Sequence, residues 1–437
     1  MNRNASGHYD TTATGGETVR AFVPFPLPPD PPLDLSGNRQ RLLERATLAL
    51  GRLDSVSTLL PDPQLFLYAY VRREAVLSSQ IEGTQSSLSD LLLFELEEAP
   101  GTPTDDVVEV SNYIRALEHG MARLREGFPL CNRLLREMHA HLMSRGRGSD
   151  KEPGEFRRTQ NWIGGTRPGN ARFVPPPPHE VELCMATLEA FLHEDTSGMP
   201  VLLKAALAHV QFETIHPFLD GNGRLGRLLI ALLLHHGGLL SQPLLYLSLY
   251  LKQHRQVYYD LLDRVRTAGD WEAWVDFFLE GVEATALGAV DTARRLVTVF
   301  DDDTRRIQQS GRSAANALRV LAALRQRPIL SLPQLCQLNA MTFPTANKTM
   351  AQLVAAGIAR ELTGQRRNRV FSYDAYLSSN SPCRRTPIPS PPNTSCKQTE
   401  IGVIPEEWEV NGGEWSKQGQ SPSFANLVRA SRMKTDP

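Results

Sequence analysis

Twelve consecutive residues carry most of the chemistry this sequence can offer: His216-Pro217-Phe218-Leu219-Asp220-Gly221-Asn222-Gly223-Arg224-Leu225-Gly226-Arg227. Gly221 and Gly223 let backbone N–H groups come close to a ligand, and a helix opening at that point favours an anion. Asp220 is a hard oxygen donor of the kind that holds Mg²⁺ between one carboxylate and substrate phosphates. Arg224 and Arg227 stand three apart on one helix face, and their forked guanidinium groups suit phosphate oxygens. His216, just ahead of the anion site, is placed to act as a general base. Both arginines interrupt an otherwise apolar run, LGRLLIALLL, where a charge is costly without a partner. The segment therefore reads as a polyphosphate–metal site beside a base.

The elements around it must hold that loop. VLLKAALAHVQFETI (201–215) is apolar on nearly every side and predicts a helix at the centre of a bundle; a second apolar helix, Leu225–Leu234, follows the loop. Helical periodicity also marks Asn38–Phe94, Val107–Leu124, Cys131–Met143, Glu180–His193, Tyr246–Thr267 and Trp271–Phe300. Residues 151–178 break the rhythm with four glycines and six prolines around two β-type pieces, predicting a hairpin or flap beside a cleft. The first twenty residues are polar and rich in Gly, Thr and Ser, so disorder is expected there. A Pro-dense extended stretch (22–35) follows.

The twelve-residue segment satisfies the signature HxFx(D/E)GN(G)RxxR at every fixed position and resembles the Fic family. The resemblance extends over roughly residues 20–377, through the Pro-rich entry, FVPPPP (173–178), YLSLYLKQHRQVYYDLL and GDWEAWVDFFLEGV. It implies an all-α Fic-type bundle with a small β-hairpin flap and an N-terminal helical extension. It also implies transfer of AMP from ATP to a Ser, Thr or Tyr hydroxyl of a target protein and of the chain itself. In that scheme His216 is the catalytic base and Asp220 the Mg²⁺ ligand. The Gly221–Gly223 backbone with Asn222 forms the anion hole, Arg224 and Arg227 bind the terminal phosphates, and Leu225 and Gly226 complete the nucleotide-binding segment. Phe218 anchors the loop, Tyr258 lines the adenine pocket, and the flap Ile163-Gly164-Gly165-Thr166 aligns the target.

Upstream, Ser78-Ser79-Gln80-Ile81-Glu82-Gly83 resembles the inhibitory motif (S/T)xxxE(G/N) of members with an N-terminal inhibitory helix. Ser78 and Glu82 are i,i+4 neighbours, and the resemblance implies that Glu82 pairs with Arg227 and misplaces the nucleotide's phosphates. Two further activities fit the same frame: phosphotransfer with ATP reversed, disfavoured because Gly223 is kept, and de-AMPylation with Glu82 positioning water.

Residues 313–377 predict a separate unit, three helices then a β-hairpin, the order of a winged helix-turn-helix. It holds eight Lys/Arg against two acids, formally +6, whereas the whole 437-residue chain is −1. Asn347, Lys348 and Thr349, expected to be exposed on its third helix, with Arg366, Arg367 and Arg369 in the wing, make DNA a candidate partner and a nucleotide-sensing regulator an alternative function. The expected organisation is 1–20 disordered, 21–106 helical with the inhibitory helix, 107–300 Fic domain, 313–377 winged helix, 378–437 disordered tail. The longest apolar run, Leu228–Leu234, is far short of the ~18 residues a membrane span needs. No secretory leader is readable, and five scattered cysteines suit neither a disulfide framework nor a zinc site. The expectation is a cytoplasmic protein without membrane contact, with ATP and a target protein as partners and a second copy of itself, as a homodimer, a candidate partner.

Overall fold

The computed structural model describes residues 4–14, 16–59, 63–96, 105–194, 198–365 and 367–379; the expected tail beyond 379, and Arg366, lie outside the described residues. Two strands, β1 (Gly7–Thr14) and β2 (Glu17–Pro24), open the chain as an antiparallel hairpin in which Thr14 faces Glu17. Over the described residues 4–14 and 16–20 this corrects the expectation of disorder. The Thr-rich stretch has strand propensity, and the glycine pair at 15–16 has the length of a tight hairpin connection. Val19, Ala21, Phe22 and Val23 of β2 are buried.

Helices α1 (Asn38–Leu59), α2 (Pro63–Ile81), α3 (Leu88–Phe94), α4 (Asp105–Arg125), α5 (Asn132–Leu142), α6 (Pro178–His193), α7 (Val201–Ile215) and α8 (Asn222–His236) follow. After them come α9 (Leu247–Gln253), α10 (Arg255–Ala268) and α11 (Trp271–Gln308). The helix expected over 246–267 is two, broken at His254, which lies outside helical dihedrals (φ −115°, ψ 35°) although no Gly or Pro marks the spot. Helix α7 is the axis: from Ala205 to Ile215 every residue is buried, and it packs on α8, α6, α10 and α11. A helix apolar on all sides has nowhere to go but the middle of a bundle. Each Leu that α8 buries there (Leu225, Leu228, Leu229, Leu232, Leu233 and Leu234) contributes about 1.5–3 kcal/mol.

The unit at the C-terminal side runs α12 (Ala314–Gln326), β3 (Ile329–Ser331), α13 (Leu332–Asn339), α14 (Phe343–Ala355), β4 (Arg360–Glu361), β5 (Val370–Ser372) and α15 (Asp374–Ser379). Its sheet is antiparallel in the order β3-β5-β4. Ser331 and Gln334 cap α13 reciprocally, Ser331 N donating to Gln334 Oε1 at 3.2 Å and Gln334 N to Ser331 Oγ at 3.4 Å. The exposure expected on α14 is not found at Thr349, which is buried, and Asn347 is engaged by Arg369; Lys348 alone of the three is exposed. Four of the eight basic side chains are committed inside the unit or to α11. Arg319 donates to Asn339 O, Arg325 to Phe300 O and Thr304 Oγ1, Arg360 pairs with Asp374, and Arg369 with Glu361.

Trp274 joins α11 to the axis. It is wholly buried, its Nε1 donates to Ala206 O at 2.9 Å, and its ring lies 5.8 Å from that of His209 at 20°. Trp274→Ala is expected to cost about 3–5 kcal/mol, read as a lowered midpoint of denaturant unfolding.

Candidate active site

The loop between α7 and α8 is built to be rigid. His216 ends α7 in the left-handed region (φ 49°, ψ 59°), which side chains other than glycine rarely adopt. Arg157, almost wholly buried, makes that ending tenable. Its Nε donates to His216 O at 3.0 Å and its Nη2 to Pro176 O at 2.6 Å and Ile215 O at 3.4 Å, supplying donors to carbonyls the helix leaves over. Asn161 Nδ2 donates to Phe218 O at 3.1 Å.

Phe218 is fully buried and stacks on His139 of α5, ring centroids 3.8 Å apart at 11°. Gly154 N donates to His139 Nδ1 at 2.8 Å, which leaves Nε2 to carry the proton donated to Asp220 O at 3.0 Å. Burial lowers the His139 pKa to about 4, so the ring stays neutral in this role. Asn222 closes the loop on itself. Phe218 N donates to its Oδ1 at 2.9 Å, and its Nδ2 donates to Phe218 O at 2.8 Å. Its amide is thereby spent on the loop, and the anion site expected here is left to backbone N–H groups at the start of α8. Gly221 adopts φ 76°, and a Cβ there would press on Met143 Sδ.

A cavity of about 800 Å³ opens over this loop, inside the range of small-molecule sites. His216, Asp220, Gly223, Arg227 and Tyr258 line it, as do Ile163 and Gly164 of the flap and Glu82 and Gly83 at the end of α2. The flap holds only one β-bridge, Ile163 with Phe173, but β2 extends it through Phe22 N to Val174 O at 2.9 Å. The hairpin tip also grips it, Glu17 accepting from Gly169 N at 2.9 Å and pairing with Arg167. Gly165 and Thr166 are not on the cavity wall; they form the flap's exposed turn, where Asn170 Oδ1 accepts from Thr166 N at 3.0 Å. Leu225 is fully buried core, and Gly226 faces α7, where a Cβ would meet Glu213 Oε1.

The two motif arginines part company. Arg224 is not on the cavity wall, contrary to the expectation that it faces phosphate; it is buried beneath the loop, Nη1 donating to Glu109 Oε2 of α4 at 3.0 Å, with Asp220 3.8 Å away. Glu109, itself buried, also pairs with Arg147 at 3.2 Å. Arg227 does face the cavity. Its Nε donates to Ser78 Oγ at 2.8 Å, and its Nη2 to Ser78 O at 3.0 Å and Glu82 Oε1 at 2.6 Å. Burial pulls the Glu82 carboxyl upward, but Arg227 outweighs it and holds the group below the usual carboxylate range. The Glu82 carboxylate rests on Gly223, closer than a Cβ at that position would allow.

Asp220 suits a magnesium ion in the way the residues present permit. Its side chain is partly exposed at the cavity, Oδ1 accepts from Gly221 N at 2.6 Å, and among the described residues no cluster of three His, Cys, Asp or Glu assembles. One protein carboxylate with phosphates and water is the usual company of Mg²⁺. Sequence reasoning passed over His139, Arg157 and Glu109, each a polar residue nearly or wholly enclosed, and the half-buried Asn161; their only signal is a fold-dependent position.

Residues 40–122 match the Fic/DOC family N-terminal model and residues 129–234 the Fic/DOC family model. The chain is 34% identical over 210 residues to Protein adenylyltransferase Fic of Culex quinquefasciatus, covering 47% of this chain and 39% of that protein. It is 33% identical over 186 residues to the protein of the same name from Drosophila ananassae, covering 42% and 34%. The chain thus spans under two fifths of the length of these relatives. A solved Fic family protein from Desulfovibrio desulfuricans superposes with a TM-score of 0.50 at 21% identity, over 79% of this chain and 98% of that one, a likeness of fold. No helix among the described residues is long and apolar enough to cross a membrane.

Burial and the charge of Arg157 lower the His216 pKa to about 3, so the imidazole is neutral at any pH well above that value. An NMR titration is expected to show no His216 protonation from pH 8 down to pH 5; an inflection near 6.5, the ordinary value, would contradict this.

Proposed function

From the premise that this chain carries a Fic domain, we propose that it is a self-inhibited protein adenylyltransferase, moving AMP from ATP to a Ser, Thr or Tyr hydroxyl of a target protein and of itself. The observation that carries the reading is Arg227, a cavity-wall guanidinium beside His216 whose donors are occupied by Glu82 and Ser78. The triphosphate lies against the backbone N–H groups opening α8, with the dipole of a fifteen-residue helix behind them. Asp220 would hold Mg²⁺, whose charge offsets that of the α- and β-phosphates when bound. His216, kept neutral by burial, takes the proton of the attacking hydroxyl as its oxygen bonds to the α-phosphorus and the bond to the leaving pyrophosphate breaks. Arg224 acts from below, holding Asp220 in place through its own pairing with Glu109. The flap residues Ile163 and Gly164 border the cavity where the target segment would be aligned.

Glu82 is the brake. While it occupies Arg227 and covers Gly223, the γ-phosphate cannot take the guanidinium and the α-phosphate is out of line for attack. A misplacement of about 1 Å suffices for a loss of about 100-fold. The glutamate's place on the wall of the nucleotide cavity equally suits positioning a water for removal of AMP, the reverse use of one site. For the regulator reading, four of the eight basic residues of the 313–377 unit, Arg319, Arg325, Arg360 and Arg369, are engaged within the protein, while Arg327, Lys348 and Arg367 are exposed.

Purified wild type, Glu82→Gly, His216→Ala and Arg227→Ala, each given Mg²⁺ and ATP labelled at the α- or γ-phosphate, decide the matter. Label is expected on protein from the α position only. It rises by about 10-fold or more in Glu82→Gly and falls at least about 100-fold in His216→Ala and Arg227→Ala. Label from the γ position means phosphotransfer, and an unchanged Glu82→Gly that still binds ATP refutes the brake.

A further inference from the structure

The flap borders the cavity where an acceptor hydroxyl would enter, yet by itself it is weakly built. Its one β-bridge closes through two hydrogen bonds, Ile163 N to Phe173 O at 2.8 Å and Phe173 N to Ile163 O at 3.1 Å. From there the chain turns through Gly164 and Gly165, both left-handed (φ 69° and 77°), and a single 3-10 turn, Pro168–Asn170. A two-stranded ribbon of that size is marginal on its own in water. An element that aligns reactants needs better support, because an error of about 1 Å at the reacting atoms costs about 100-fold.

The support comes from the hairpin β1–β2, which lies ahead of both segments that the family models match. Its base is tied to the bundle. Ser6 N donates to Arg266 O of α10 at 3.1 Å, Phe25 N to Ser6 O at 2.8 Å, and Gln211 Nε2 of α7 to Phe25 O at 2.8 Å. Gln211 belongs to the helix that ends at His216. Midway, Val19 and Ala21 share a small core with Val174, against which Trp162 and Ala171 pack. The buried Phe22 ring lies 6.2 Å from that of Phe173, and Phe22 N donates to Val174 O. At the tip, the Glu17 carboxylate accepts from Gly169 N at 2.9 Å and pairs with Arg167, gripping the 3-10 turn. Between base and tip the ladder runs unbroken from Gly7–Pro24 to Thr14–Glu17, about 24 Å at the usual rise per strand residue. One ribbon therefore spans from the helix that ends at His216 to the far turn of the flap.

We propose that this hairpin is a splint that sets the flap's position relative to His216, with Glu17 as its positioning residue. An extended acceptor segment laid along the flap at Ile163 and Gly164 then presents its hydroxyl to the base at a separation fixed by the splint. This rests on the adenylyltransferase reading, which supplies the acceptor. Glu17 is not on the cavity wall and acts only through the flap turn. Gly169 is the matching surface: a Cβ there would meet Glu17 Oε2, the far end of a flexible side chain, and push the carboxylate off the turn. The grip can thus be released from either side without touching a group that binds nucleotide.

The full-length Glu82→Gly protein, given Mg²⁺ and ATP labelled at the α-phosphate, is compared with the same protein carrying Glu17→Ala, Glu17→Gln, Gly169→Ala, or Glu17→Ala together with Gly169→Ala. Two quantities are read: the rate of label transfer to protein at saturating ATP, and the equilibrium affinity for ATP. Glu17→Ala is expected to lower the rate about 10-fold or more, with ATP affinity within about twofold of the parent. Glu17→Gln, which keeps an acceptor for Gly169 N, retains part of the rate. Gly169→Ala matches Glu17→Ala, and the two together are no worse than either, because each removes the same contact. A rate indifferent to Glu17, losses that multiply in the double variant, or an ATP affinity that falls in step with the rate overturns the proposal; the last would make the hairpin a prop of the nucleotide cavity. A parent protein that binds ATP and transfers no label refutes the adenylyltransferase reading and removes the acceptor this proposal needs, so the two failures are distinct.

Discussion

Two guanidinium groups are enclosed in a helix whose other side chains are almost all Leu, Ile, Ala and Gly, and that enclosure demands counter-charges from elsewhere in the chain. The N-terminal helices meet the demand. Helix α4 brings Glu109 to Arg224, and the end of α2 brings Ser78 and Glu82 to Arg227. The matches to residues 40–122 and 129–234 therefore describe two segments that are electrostatically incomplete apart. Glu109 and Glu82 differ in a way that fits their separate positions. The first is enclosed with its partner, and breaking such a pair is costly. The second stands at the cavity edge with a quarter of its side chain exposed, where a competing anion can reach its arginine.

The loop itself is held without any part of it being free to reorient. Arg157 and Asn161 hold it from one side, His139 supports it through both ring nitrogens, and Asn222 ties its two ends. Neutral His139 is the economical choice for such a post, because an imidazolium in contact with Asp220's backbone would compete with Arg224 for the same local field. Preorganisation of this sort matters where charge develops on phosphate, since groups already in place need no reorganisation during reaction.

The loop's place between two apolar helices was readable from sequence because its residues are contiguous, and so was the helical class, because long apolar periodic runs such as 201–215 leave little alternative. What the sequence alone could not place were residues whose partners are remote. Arg157 and Glu109 sit in unremarkable contexts and acquire their roles from contacts 58 and 115 positions away. Arg224 was misplaced because spacing puts it on one face with Arg227 but does not say what lies opposite that face. The break at His254 has no local breaker to announce it. At the N-terminus polar composition favours disorder, but the threonines and the glycine pair at 15–16 are a hairpin signal in the sequence, and β1 and β2 pair there. On α14, Thr349 lies between the buried Ala346 and Met350, a spacing that turns it inward rather than toward a partner.

Glu82 lies just beyond the last turn of α2, which closes at Ile81, and Gly83 follows with φ 104°. Moving the carboxylate off Arg227 therefore requires a rearrangement of one helix terminus rather than the parting of two packed domains. Local openings of helix ends lie at the low end of the free-energy scale, on the order of a few kcal/mol. At about 3 kcal/mol, on the order of one molecule in a hundred stands open at any instant. If Glu82 is the brake proposed above, such a protein is never wholly silent: a steady trickle of turnover follows how often a single helical turn frays, and whatever grips that turn in either conformation sets the size of the trickle.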